Sequence, residues 1–119
     1  TGYDRVSAGT DSIMAAGRPE GNYKRGVNDV MVEDGDAKLP NGVRAGSTLT
    51  LAQALRNLMA FTGEGAETVS RLMTANPARL MGWASKGELD VGRDADLVLL
   101  DEDYQVARTV VGGRTVYTR

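Results

Sequence analysis

Histidine is absent from these 119 residues, and so is cysteine. Without cysteine there is no disulfide framework. Without histidine there is no Ser–His nucleophile pair, and the absence of both removes a Cys–His pair. A hydrolytic zinc site normally draws on histidine together with carboxylate or cysteine ligands. This chain offers carboxylates alone and cannot build such a site by itself. Long apolar runs are missing too. The longest, such as Leu97–Leu100, have four residues, against about 20 needed to span a bilayer. Nor does one sign of charge dominate: 14 basic against 16 acidic residues leave a net charge of −2, with no electrostatic footprint for nucleic acid or an anionic membrane. No Asn-x-Ser/Thr acceptor and nothing like a signal peptide occurs, so the expectation is a soluble cytoplasmic protein. The length suffices for one domain with a core.

The chain opens without methionine and runs directly into Val6–Thr10, which reads as a short buried strand entered in mid-fold. Asp11 follows, at the start of a small-residue loop ending at Gly17. A carboxylate there has two readings. Aspartate is common in turns because its side chain bonds the backbone two residues on. Catalytic groups of parallel α/β sheets and barrels also gather at the C-terminal ends of strands.

A turn-rich segment comes next. Within it, Val27–Glu33 alternates loosely and meets Asp34-Gly35, a hairpin signal, with Ala37–Leu39 as the returning strand. Thr50-Leu-Ala-Gln53 has the form of a capping box, and Leu51, Leu55, Leu58 and Met59 follow at helical spacing. Gly63 and Gly65 should end that helix. A second helix begins near Ala66 with Val69, Leu72 and Met73 on one face. Asn76-Pro77 is read as N-cap and first residue of a short third helix that points Leu80 and Met81 inward and stops at Gly82. Beyond Gly92 the pattern turns to strands. Asp96–Asp101 has a continuous apolar centre, as a strand covered on both faces would, and Gln105–Val111 and Arg114–Thr118 flank the hairpin signal Gly112-Gly113. The last strands have no evident sheet partner except one another.

Several tempting motifs carry little. Thr62-Gly-Glu-Gly-Ala-Glu67 lacks both the preceding strand and the third glycine of a nucleotide loop. Charges of alternating sign across Lys86–Arg93 mark a solvated surface. Trp83 reads as a packing cap after Gly82, and Asp101-Glu-Asp103 as a solvated turn.

Three segments resemble the C-terminal part of the amidohydrolase superfamily: Asn76-Pro-Ala-Arg-Leu-Met-Gly82, Gly92-Arg-Asp-Ala-Asp-Leu-Val-Leu-Leu-Asp101 and Val111-Gly-Gly-Arg-Thr-Val-Tyr117. Two stretches are narrower. Thr10-Asp-Ser-Ile-Met-Ala-Ala-Gly17 and Ala45-Gly-Ser-Thr-Leu-Thr50 resemble segments of N-acetylglucosamine-6-phosphate deacetylases. Ser12 replaces the usual alanine of that pattern, and Arg44 stands where an apolar residue is frequent.

The resemblance implies an α/β fold: the C-terminal fragment of a (β/α)8 barrel, with its last strand, a hairpin insertion and closing helices over 1–90, and terminal strands of a small β-sandwich over 91–119. A complete barrel needs roughly 250 residues. It implies Asp11 as the catalytic carboxylate and Arg44, Ala45, Gly46 and Ser47 as the substrate-contact loop. It also implies a divalent metal, zinc or similar, in the full-length enzyme, on glutamate and histidine ligands outside this stretch and none bound by this chain alone. Such an ion lowers the pKa of bound water from about 15.7 toward 7, and a carboxylate beside it can take the proton and pass it to the departing amine. The implied reaction removes acetyl from N-acetylglucosamine 6-phosphate, leaving glucosamine 6-phosphate and acetate, with the fragment alone inactive. The partners implied are an amino-sugar phosphate and further copies of the same chain. Two other readings stand beside it: a fragment of a dihydroorotase-like or deaminase relative, and a non-catalytic α/β module that oligomerises through exposed strand edges.

Overall fold

The computed structural model describes residues 2–119. In chain order these form a single turn of 3-10 helix at Tyr3–Arg5, strands β1 (Gly21–Arg25), β2 (Asn28–Glu33) and β3 (Asp36–Lys38), helices α1 (Leu51–Thr62), α2 (Ala66–Met73) and α3 (Ala75–Leu80), and strands β4 (Leu97–Leu100), β5 (Val106–Val111) and β6 (Arg114–Thr118). The architecture is mixed α/β. Residues 10–54 make one compact unit, and residues 1–9 with 55–119 make the other. No helix among the described residues is long and apolar enough to cross a membrane.

The unit of residues 10–54 is built on the antiparallel meander β1-β2-β3. Strand alternation explains its core: Val30 and Val32 point inward and are buried, while Met31 between them is exposed. They pack with Ala15, Ala37 and Ala45, and Ile13, Tyr23 and Leu39 close the edges. Asp34 and Gly35 both have positive φ, 50° and 72°, the two-residue turn whose twist matches a right-handed strand pair. The hairpin read at Asp34-Gly35 is therefore present. An additional strand, β1, precedes it and pairs along its whole length with β2, Arg25 opposite Asn28. Gly26 turns between them.

In the second unit α2 and α3 bury Val69, Leu72, Ala75 and Ala78. Thr50 caps α1, its hydroxyl oxygen accepting the Gln53 amide proton at 3.3 Å. Three expectations need correction. Val6–Thr10 forms no strand: the Val6 amide bonds the Tyr3 carbonyl and the Ala8 amide bonds Leu72 O at 2.9 Å, so no ladder is available to this extended segment among the described residues. Helix α3 starts at Ala75 with Thr74 as its cap residue. Pro77 falls within the first turn, where the missing N–H is not needed. Asn76 serves differently from a cap. It is 5% exposed, and its Nδ2 donates to the carbonyls of Tyr3 at 2.8 Å and Val6 at 2.6 Å, tying the leading segment to the helix. Leu80 and Met81 are 79% and 60% exposed, and the residues that α3 buries are Ala75, Asn76 and Ala78.

Strands β4, β5 and β6 form a second antiparallel sheet in sequence order. Gly112 and Gly113, both at positive φ, make the expected hairpin turn. The covering of β4 on both faces is not found: Val98, Leu99 and Leu100 are exposed. The acidic run after β4 is a turn, Asp101 Oδ1 accepting the amides of Asp103 at 3.0 Å and Gln105 at 2.8 Å. Charges around Lys86 pair on the surface, Lys86 with Asp94 and Asp96 and Arg93 with Glu88.

Leu72→Ala should lower the unfolding free energy of this chain by about 2–5 kcal/mol, the range for emptying a buried leucine site. Leu80→Ala should change it by less than about 0.5 kcal/mol, as exposed positions do. Urea unfolding of the two variants side by side checks the assigned faces of α2 and α3.

Candidate functional site

Asp11 leaves the extended segment in a left-handed conformation, φ 51°. Aspartate tolerates that region better than most residues, but it is not free. The surrounding bonds show what holds it there. The Asp11 carbonyl accepts the Ser47 amide proton at 2.9 Å, and the Ser47 carbonyl accepts that of Ile13 at 2.9 Å. Between these, Ser12 and Ser47 form a parallel bridge. The Asp11 segment and the 44–50 loop are thus joined as two short parallel strands.

Side chains reinforce the joint. Ser12 Oγ lies 2.7 Å from Thr10 Oγ1 and also hydrogen-bonds the Leu49 carbonyl. A carbonyl can only accept, so the single Ser12 hydroxyl proton goes to Leu49 and the Thr10 hydroxyl donates to Ser12. The Thr10 oxygen in turn accepts the Ser12 amide at 3.3 Å. Thr10 and Ser12 therefore clasp each other around Asp11. Ser47 Oγ accepts the Leu49 amide at 2.8 Å and shapes the entry to α1.

Gly46 is where the joint is tightest. Its φ is 119°, and a Cβ there would come within 2.7 Å of Ile13 Cγ2 and 3.0 Å of the Asp11 carbonyl oxygen. The Asp11 Oδ2 would lie 3.7 Å from the same point. So the carboxylate sits beside a patch of bare backbone. Ala45 is buried beneath, 2% exposed, with its amide on the Ala37 carbonyl at 2.7 Å and its carbonyl taking the Arg25 Nη1 proton at 3.1 Å. Arg44 engages Asp36 instead, Nε to Oδ1 at 3.0 Å. Of the residues singled out in the sequence, Asp11, Gly46 and Ser47 come together, Ala45 supports them and Arg44 forms an ion pair with the meander.

Two contributors carry no signal in the sequence. Arg25 lies on β1, and the Ala37 carbonyl on β3, and only the pairing of the meander brings either to Ala45. Ser12 was visible as a departure from the family pattern, but its reach to Leu49 was not.

A metal fits poorly here. Among the described residues no group of three or more histidine, cysteine, aspartate or glutamate side chains is placed to hold an ion.

An exposed carboxylate beside half-buried backbone, on a segment hydrogen-bonded to that loop, can exchange a proton with a polar molecule that reaches it. The sequence model of the amidohydrolase family matches residues 5–116, and the chain belongs to that family. Within it, this chain is 37% identical over 113 residues to the N-acetylglucosamine-6-phosphate deacetylase of Lysinibacillus sphaericus, covering 95% of this chain and 29% of that protein. It is 38% identical to the N-acetylglucosamine-6-phosphate deacetylase of Caenorhabditis elegans, over 97% of this chain and 29% of the other. The crystal structure of the Thermotoga maritima N-acetylglucosamine-6-phosphate deacetylase superimposes with a TM-score of 0.87 at 37% identity, over 98% of this chain and 32% of that one. The chain thus spans about three-tenths of the length of these relatives.

Gly46→Ala should destabilise the chain by about 1–3 kcal/mol, the range for a strained backbone position, and more than Gly42→Ala, where φ is 82° but a Cβ meets open space. Thermal unfolding of both variants decides it. A second outcome concerns pH. Burial raises the Asp36 pKa, but hydrogen bonds from Arg44 and Lys38, with their charges, outweigh it and hold the group below its usual 3.8. A depressed carboxylate contributes stability above its unfolded pKa and loses it as pH falls through the folded one. Asp36→Asn should therefore flatten whatever loss of stability the wild-type chain shows below pH 3.8.

Proposed function

We propose that this chain is the C-terminal part of a cytoplasmic, homo-oligomeric deacetylase that hydrolyses N-acetylglucosamine 6-phosphate to glucosamine 6-phosphate and acetate. Residues 1–90 would belong to its hydrolase barrel and 91–119 to a small β-sandwich. The observation that carries the reading is the placement of Asp11, held at positive φ with its carboxylate beside Gly46, in a chain whose relatives bear that activity in their names.

Amide hydrolysis asks for two proton movements. Water must lose a proton as its oxygen bonds the acetyl carbon, and the amine nitrogen must gain one as the C–N bond breaks. In this reading Asp11 does both: its ionised carboxylate accepts the proton from water and, now neutral, delivers it to the nitrogen. The acetyl group leaves as acetic acid, whose remaining proton passes to the amine to give acetate and the ammonium form, and the carboxylate is regenerated. The loop of Ala45, Gly46 and Ser47 receives the N-acetyl end of the sugar on the side stripped of bulk at Gly46, with Ala45 buried beneath as its support. Arg44, at the mouth of that loop, contributes a contact as well. A divalent metal of the kind the resemblance implies has no ligand set among the described residues, so its ligands are assigned to other parts of the polypeptide, and this chain alone should be inactive.

In the full-length enzyme Asp11→Asn should lower kcat by about 10²–10⁴-fold, the usual loss on removing a general base, with KM little changed. Acetate release from N-acetylglucosamine 6-phosphate measures it. Full turnover by the variant would remove Asp11 from the chemistry, and no turnover by the wild type would remove the substrate.

A further inference from the structure

The unit that holds Asp11 contains five cations, Arg18, Lys24, Arg25, Lys38 and Arg44. Three of them pair with carboxylates: Lys24 with Asp29, and Lys38 and Arg44 with Asp36. Arg25 forms no ion pair among the described residues. Its guanidinium is spent on a main-chain carbonyl twenty positions away, Nη1 to Ala45 O at 3.1 Å. A cation directed at a neutral carbonyl, when carboxylates are plentiful, points to a requirement for that carbonyl to stay where it is.

The requirement can be followed bond by bond. Ala45 O belongs to the peptide unit that supplies the Gly46 nitrogen, so fixing it fixes the plane preceding Gly46. Gly46 then has to hold φ 119° against Ile13 and the Asp11 carbonyl, and the Ser47 amide has to reach Asp11 O. The other side of Ala45 is held by its own amide on Ala37 O. Farther along, Thr48 Oγ1 donates to Gly35 O at 2.6 Å, and Arg44 pairs with Asp36, so the meander grips the loop at several places. Of the meander's contacts with the loop, the Arg25 one acts on the peptide next to Gly46, and its donor is charged, which makes it stronger than a neutral counterpart; the ion pair of Arg44 with Asp36 acts on a side chain instead.

We propose that Arg25 is a positioning residue for the deacetylase site. It holds the Ala45–Gly46 peptide in register with Asp11, so that the bare backbone patch receives the N-acetyl group at the right place beside the carboxylate. The inference rests on the function proposed above and adds to it a residue on β1 that touches neither the reacting atoms nor Asp11 itself. Strand β1 is the element that carries this guanidinium to the loop.

The test is Arg25→Met and Arg25→Lys in the full-length enzyme. Amide hydrogen exchange at Gly46 and Ser47 reads the loop directly, and loss of one charge-assisted bond should speed it about tenfold in Arg25→Met. KM for N-acetylglucosamine 6-phosphate should rise about tenfold while kcat falls less than about threefold, because the binding surface is loosened and the base is not removed. Arg25→Lys, which keeps one donor and the charge, should lie between, and it carries the same measurements if the methionine variant does not fold. Inhibition by inorganic phosphate should be unchanged in both. Unaltered exchange overturns the proposal. So does a loss of phosphate inhibition in step with KM, which would make Arg25 a direct contact of the anion. If the wild-type enzyme shows no deacetylase activity, the function falls, and the exchange rates still decide whether Arg25 holds the loop.

Discussion

Everything around the candidate site depends on one short piece of parallel pairing, in which Asp11 and Ile13 exchange backbone hydrogen bonds with Ser47. Thirty-six positions separate Asp11 from Ser47 in the chain, and closing a loop of that length carries an entropy penalty that grows slowly but must be met. The two hydrogen bonds of that bridge would not meet it alone. The meander does, by burying Val30, Val32, Ala37 and Ala45 in a small core that brings the loop's two ends together. The hairpin insertion is thus the means by which a distant glycine reaches the aspartate.

Small residues make the approach possible. Ala15, Ala37 and Ala45 are all buried, and each keeps the backbones near one another where a larger side chain would hold them apart. Gly46 is the limit of the same trend, since even a methyl group would overlap Ile13 Cγ2. The strained φ of Asp11 belongs to this economy. A non-glycine residue persists in the left-handed region when its neighbours over-determine it, and here Thr10, Ser12, Ser47 and Leu49 all bond within two residues of it or across from it.

Local chemistry in the sequence made the punctuation legible. Asp34-Gly35 and Gly112-Gly113 fold as the two-residue turns their composition demands, and Thr50 caps α1 as its position before an apolar helical stripe requires. Asp11, Gly46 and Ser47 were legible only through resemblance to a family, since nothing in their spacing brings positions 11 and 46 together. What could not be read depends on long-range pairing. Strand β1 has no alternation of its own and exists because β2 offers it a partner. The segment Val6–Thr10 has the residues of a strand and no ladder to join among those described. Leu80 and Met81 look like core and are exposed in this chain, because the side of α3 that packs is the one carrying Ala75, Ala78 and the two carbonyls that Asn76 gathers.

Asn76 also shows why a motif and its mechanism need separate arguments. An asparagine before a proline is read most simply as a helix cap. Its side chain instead sits inside the first turn, nearly buried, and spends both amide protons on Tyr3 and Val6. Its Oδ1 finds no partner among the described residues. The orientation is not arbitrary, because reversing the amide would set an oxygen against two carbonyls. A buried acceptor left unbonded is unfavourable, yet the alternative leaves two carbonyls facing a third oxygen, and the structure adopts the lesser penalty. The same logic applies at Arg25, where a charge is given to a carbonyl. In both places a polar side chain is used on main chain, at Asn76 to hold the two ends of the single 3-10 turn that precedes the Asp11 segment, and at Arg25 to hold the loop of Gly46.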